Sequence, residues 1–309
     1  MPTSTLIECS LKLPDAYRAK DILGFNQRDP LAIAEIVDQQ SLSKGLLWHE
    51  QLARLTIQFK DNAVAEVQLA IDGLAASDDQ MALQAKAKGL LGLNQDIEGF
   101  ELAYKDHPQL GLLIAQNSGL RVPTCATFFE AITWAITGQQ ISVNAAVSIR
   151  RKLIQRVGVE HSSGLLCYPD AKLVVNIEAG ALRQLGYSNA KVKALLGVSE
   201  MVLAHQALLE LTPTAETVTE IYQRLHEIKG IGPWTINYAL LRGLGWLDGS
   251  LQGDAGVRRS LQTLLRLTDK LSEQQTQDWL APFSPWRALV AAHLWQYAPS
   301  IPPFDDCHT

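Results

Sequence analysis

The pattern of apolar and polar positions changes once along this chain, shortly after residue 75. Residues 4–13 (STLIECSLKL) alternate, the period-two signature of a half-buried strand. A short helix is expected over 15–26. Residues 45–51, 54–60 and 63–71 read as further strands, the last two joined by a turn at Asp61-Asn62. From Ser77 the period is helical and stays so. It predicts helices over 77–91, 95–105, 108–117, 125–137, 142–157, 170–176, 178–185, 189–205, 214–227, 233–243, 254–267, 272–281 and 284–297. Short loops carrying Gly, Pro or a capping Ser, Thr, Asp or Asn separate them. No strand pattern recurs after residue 80. The expected fold class is α+β: a small N-terminal antiparallel-sheet domain over 1–90, followed by an all-helical core over 91–309. The tail 299–309 (PSIPPFDDCHT) is expected to be loose.

One stretch breaks the helical pattern in an informative way. In 225–260 (LHEIKGIGPWTINYALLRGLGWLDGSLQGDAGVRRS) a helix stops at Lys229-Gly230-Ile231-Gly232 and resumes at Pro233. Glycine allows the tight turn, and proline suits the first helical position because its missing N–H has no partner there. The N–H groups of such a turn, at the positive end of a helix, form an anion site. A single acid, Asp254, follows some twenty residues later at the head of another helix.

Composition narrows the classes. A chain of 309 residues with 47% hydrophobic and 19% charged residues is that of an ordinary globular protein with two or three domains. Apolar runs are broken well before about 18 positions, so no membrane span is expected, and the N-terminus has no secretory pattern. Cys9, Cys125, Cys167 and Cys307 lie far apart without a C-x-x-C pair, which argues against a zinc or iron–sulfur cluster and for thiols in a reducing cytosol. The net charge of −5 is uneven. Residues 1–110 hold 10 Lys and Arg against 16 Asp and Glu, and the rest hold 17 against 16. The acidity sits in the N-terminal third, leaving a near-neutral remainder suited to moderate affinity for a polyanion. Trp48 and His49 read as packing or surface residues, Trp134 and Trp295 as core, and His226 and His293 as core or surface.

Three ordered segments carry a family resemblance. LHEIKGIGPWTINYALLRGLG followed by GDAGVRR resembles the helix-hairpin-helix DNA glycosylase superfamily. FFEAITWAITGQQISVNAA resembles the segment opening the helical core of its 3-methyladenine DNA glycosylase II branch, and SPWRALVAAHLWQY that branch's C-terminal helix. The resemblance covers about 120–297. It implies a two-lobed core, with 91–120 plus 250–309 as one lobe and 121–249 as the hairpin lobe.

It also assigns roles. Asp254 is the expected catalytic carboxylate: breaking an N-glycosidic bond builds positive charge on the sugar, which a nearby carboxylate stabilises while orienting water. Its alternative role is a helix N-cap, and the two can coexist. Trp234 stands where bifunctional relatives similar to endonuclease III carry a Schiff-base Lys. The expected chemistry is therefore monofunctional hydrolysis that leaves an abasic site; Lys229, inside the turn, is a poor substitute. Trp234, Tyr238 and Trp286 are the expected walls of a base pocket, suited by cation–π attraction to alkylated, cationic purines of the 3-methyladenine or 7-methylguanine type. A wedge must fill the gap left by an extruded base, and the candidates are Gln140 and Ile141. Gly230, Gly232 and Trp234 would offer N–H groups to a phosphate, while the carbonyls of His226, Ile228 and Gly230 would hold a structural Na+ or K+. Arg258, Arg259 and Arg287 have open roles. No catalytic cofactor, transition metal or iron–sulfur cluster is expected.

The expected protein is thus a cytoplasmic, nucleoid-associated monomer acting on double-stranded DNA with damaged bases, and not on membranes. The alternatives are a glycosylase of the same fold for oxidised or mismatched bases, and a non-catalytic binder of DNA structure.

Overall fold

A computed structural model describes residues 4–15 and 17–297. The tail 299–309, with Cys307, lies outside the described residues. Five strands, β1 (Thr5–Lys12), β2 (Glu35–Val37), β3 (Ser41–Trp48), β4 (Gln51–Lys60) and β5 (Val64–Ile71), form one antiparallel sheet in the order β1-β5-β4-β3-β2. The alternation seen in sequence is the cause. Ala53, Leu55, Ile57 and Phe59 of β4 and Ala65, Val67, Leu69 and Ile71 of β5 are buried in one core, which Leu83, Ala87 and Leu90 of α2 (Asp79–Leu90) help to fill. Trp48 also lies in it, donating its Nε1–H to Asp79 Oδ1 at 2.7 Å.

The sheet departs from expectation at two places. The β3–β4 turn falls at His49-Glu50, with Trp48 opposite Gln51, so β3 ends and β4 begins earlier than the pattern suggested. Both turn residues have positive φ (46° and 64°), which neither side chain advertises as Asn-Gly would. β2 was not anticipated, because three residues are too few to show a period.

The helices are α1 (Ala19–Asn26), α2, α3 (Ile97–Tyr104), α4 (Leu110–Gln116), α5 (Phe128–Gly138), α6 (Val143–Val157), α7 (Ala171–Val175) and α8 (Ala179–Gln184). They continue with α9 (Asn189–Ala204), α10 (Gln206–Glu210), α11 (Ala215–His226), α12 (Pro233–Leu244), α13 (Ala255–Leu264), α14 (Glu273–Leu280) and α15 (Arg287–Gln296). The bounds follow the capping residues: Thr127, Ser142, Asp170, Ser188, Thr214, Asp254 and Ser272 each accept a backbone N–H from the first turn that follows them. α10 was not anticipated. After residue 80 the described residues hold one isolated bridge, Glu160 with Leu166, and no named strand. Among the described residues no helix is long and apolar enough to cross a membrane.

The chain divides into two compact units, residues 1–95 with 121–246, and residues 96–120 with 247–309. In the first, a second core gathers Phe129, Ile132 and Ile136 of α5, Leu195 and Val198 of α9, Leu225 of α11, and Ile236 and Leu240 of α12. The sheet reaches these helices through a buried charge cluster. Lys44 Nζ lies 2.6 Å from Glu35 Oε1 and 2.6 Å from Glu130 Oε1, and Arg150 Nη2 lies 2.6 and 2.9 Å from the same two atoms. Burial by itself would raise the Glu35 carboxyl, but Arg150 and Lys44 override it and hold it down at about 2. In the second unit, α15 packs against α4 and α13, with Leu113, Val257, Leu261, Leu289 and Leu294 fully buried.

Candidate functional site

The hairpin lies in the first unit. After α11 the chain turns with Ile228 N–H donating to Leu225 O (3.1 Å) and Ile231 N–H to Ile228 O (3.0 Å). Gly230 sits at the apex with φ +95°. A side chain there would meet Ala194 Cβ only at 3.5 Å, so backbone conformation rather than space demands glycine. Ile231 is buried and pins the turn, while His226, Lys229 and Gly230 are exposed. Gly232 precedes α12 and Pro233 opens it, so the first turn presents N–H groups that no helical carbonyl can accept. His226 stacks on Tyr222, with centroids 5.9 Å apart.

Trp234 and Tyr238, one turn apart on α12, tilt against each other with centroids 5.5 Å apart. Trp234 is half-buried and Tyr238 buried. The Tyr238 hydroxyl bonds the Arg242 guanidinium, which also donates to Pro123 O (2.9 Å) and lies over Phe25 at 4.6 Å. Trp134, expected in the core, is half-buried beneath Arg28, whose guanidinium lies 5.1 Å from its ring.

The loop between α5 and α6 carries Gln140, at φ +55°, and Ile141, both exposed, and Ser142 caps α6. Its neighbour Gln139 reaches the hairpin: Nε2 donates to Gly230 O (3.1 Å) and to Thr235 Oγ1 (2.9 Å). Nothing in the sequence pattern singled Gln139 out.

Asp254 belongs to the second unit and caps α13. Its Oδ1 accepts Gly256 N–H (2.8 Å), Val257 N–H (3.0 Å) and the indole Nε1–H of Trp295 (3.0 Å). The cap was expected; the indole was not. Trp295, read from sequence as core, is half-exposed and spends its donor on this carboxylate. A side chain at 256 would stand 3.1 Å from Asp254 Oδ1 and 3.5 Å from Trp295 Cδ1, so glycine lets the two approach. Trp286 opens α15, with the rings of Phe100 and Tyr104 each 6.1 Å away. Arg287 binds Asp248 through two bonds of 2.7 and 3.1 Å, which answers its open role with an acid. Arg259 is exposed, Arg258 half-buried, and His293 fully buried against Phe100.

Sheet, helical bundle and hairpin together define a helix-hairpin-helix protein with one carboxylate at the head of the helix that follows. The sequence profile of the HhH-GPD superfamily of base excision DNA repair proteins matches residues 133–284. The chain is 29% identical over 188 residues to DNA-3-methyladenine glycosylase 2 of Escherichia coli (60% of this chain, 63% of that one). It is 24% identical over 211 residues to the DNA-3-methyladenine glycosylase of Bacillus subtilis (66% and 68%), so the matches span about two thirds of these relatives. The solved 3-methyladenine DNA glycosylase of Archaeoglobus fulgidus shares the fold, with a TM-score of 0.79 at 21% identity over 94% of this chain and 97% of that one. Over residues 133–284 the chain is thus similar to the HhH-GPD superfamily, and the curated relatives it matches are 3-methyladenine DNA glycosylases.

Proposed function

We propose that this protein is a monofunctional DNA glycosylase of base excision repair that removes alkylated, cationic bases and leaves an abasic site. DNA is its partner. The observation that carries the reading is Asp254: the acid at the family motif's position is held by three N–H donors on one oxygen, its orientation set by a cap and an indole. A carboxylate so oriented stabilises the positive charge that develops on the sugar and directs water to it. A cationic base departs without a general acid, so one carboxylate suffices. Trp234 in place of an amine leaves no nucleophile for strand cleavage. Trp234 and Tyr238, on α12, supply electron-rich faces for the extruded base, worth about 0.5–2 kcal/mol per contact to a cation.

The hairpin grips the DNA backbone through the N–H groups of Gly230, Gly232 and Trp234. A Na+ or K+ held by the carbonyls of His226, Ile228 and Gly230 would add positive field there. Those of Ile228 and Gly230 each accept a hydrogen bond already, and a carbonyl has a second lone pair to offer, so the residues fit such an ion.

Release of 3-methyladenine and 7-methylguanine from alkylated duplex DNA tests this, with uracil and 8-oxoguanine duplexes as rivals. Asp254→Asn should abolish release with unfolding within about 1 kcal/mol of wild type, since Asn also caps helices well. Borohydride should trap no covalent adduct. A fully active Asn variant, or a trapped adduct, would overturn the reading.

A further inference from the structure

The loop that carries the wedge candidates is anchored at both ends. Before it, Thr137 O accepts Lys191 Nζ from α9 (2.9 Å), and Thr137 Oγ1 pairs with the Tyr187 hydroxyl (3.0 Å). After it, Ser142 caps α6. Between these anchors lie Gln139, half-buried, and then Gln140 and Ile141, both exposed; just past Ser142, Val143 at the start of α6 is 63% exposed.

Gln139 spends its side-chain nitrogen on the hairpin, and the two acceptors matter by their places. Gly230 is the apex of the turn, and Thr235 lies in the first turn of α12, on the far side of Pro233. One amide therefore spans the hairpin turn from apex to helix, and its two N–H groups match the two acceptors. The residue that follows it directly is Gln140, exposed and in a left-handed conformation. Gln139 itself cannot enter a base stack without giving up both bonds. It stands instead between the segment that grips the backbone and the segment that would enter the gap.

We infer that Gln139 is a positioning residue that ties the wedge loop to the phosphate-gripping hairpin, so that seating the hairpin on the DNA backbone sets how Gln140 and Ile141 enter the stack. This rests on the base-extruding glycosylase reading. Extrusion of a paired base is the costly step, because stacking and pairing must be broken. A base that is already unpaired needs little help from a wedge. Loss of the tether should therefore be felt on paired targets and spared on unpaired ones, whereas a general loss of fold or of DNA grip would lower both alike.

The test uses full-length protein and duplexes carrying one 7-methylguanine beside a 2-aminopurine reporter, the methylated base either paired with cytosine or placed in a one-nucleotide bulge. Fluorescence reads extrusion and a separate assay reads base release. Gln139→Leu keeps the bulk and removes both donors. It should slow extrusion of the paired base about tenfold, the size expected for two modest hydrogen bonds, and leave the bulged base within about twofold. Thr235→Val, which removes one acceptor and leaves the loop untouched, should lose less, in the same direction. If Gln139→Leu fails to fold, Thr235→Val decides by the same ratio. Equal losses on both duplexes, or no loss on either, overturn the inference. Wild-type protein that extrudes the base without releasing it defeats the glycosylase reading while the tether is still judged by extrusion. Wild-type protein that extrudes nothing overturns the tether as well.

Discussion

Trp295 donates one hydrogen bond to Asp254, and a bond to a charged group is worth more than one between neutral groups. Trp295→Phe keeps an aromatic ring and removes the Nε1–H donor together with part of the indole's bulk. Base release should fall by about ten- to a hundredfold, the equivalent of about 1.5–3 kcal/mol, with the fold retained; single-turnover kinetics beside circular dichroism would read both. Asp254 would keep its two backbone donors from Gly256 and Val257, so the variant separates orientation by the indole from simple capping. Unchanged release would mean that the cap alone positions the carboxylate.

Among the elements, β2, β3, α5 and α6 meet at the cluster of Glu35, Lys44, Glu130 and Arg150. Two acids and two bases balance there, and removing one member leaves buried charge uncompensated. Lys44→Met should cost about 3–5 kcal/mol in urea unfolding. The pH dependence has a definite sign. The folded Glu35 carboxyl is held at about 2, below its ordinary 4.5, so its contribution is complete above about 4.5 and is lost as pH falls through that interval toward 2. Equilibrium unfolding between those values should show stability declining with acid, and Glu35→Gln should flatten the decline. A wild-type profile that stays flat across the interval would refute the role of the carboxylate.

For the molecule as a whole, the charge is divided, with −6 over residues 1–110 and +1 over the rest. A near-neutral helical region with the proposed grip on DNA, mainly by backbone N–H groups, releases few counterions. The slope of log affinity against log salt should be shallow, on the order of −2 to −4, and filter binding across a salt series would measure it. A slope near −8 would require a basic surface that this charge balance does not favour.

Helices, hairpin turn and the cap at Asp254 were legible in the amino-acid order because each depends on neighbours a few residues apart: periodicity, Gly230, Pro233, a carboxylate two and three positions before its donors. So was the change from strand to helix near residue 75. The turn at His49-Glu50 was not, since its positive φ values fall on residues without that habit. Nor were the contacts between residues far apart in the chain. Trp295 meets Asp254 across 41 positions, Gln139 meets Gly230 across 91, and Arg150 meets Glu35 across 115. Such pairs leave no periodic trace along the chain, because it is the packing of helices already formed, not any local preference, that brings a donor within 3 Å or so of its acceptor.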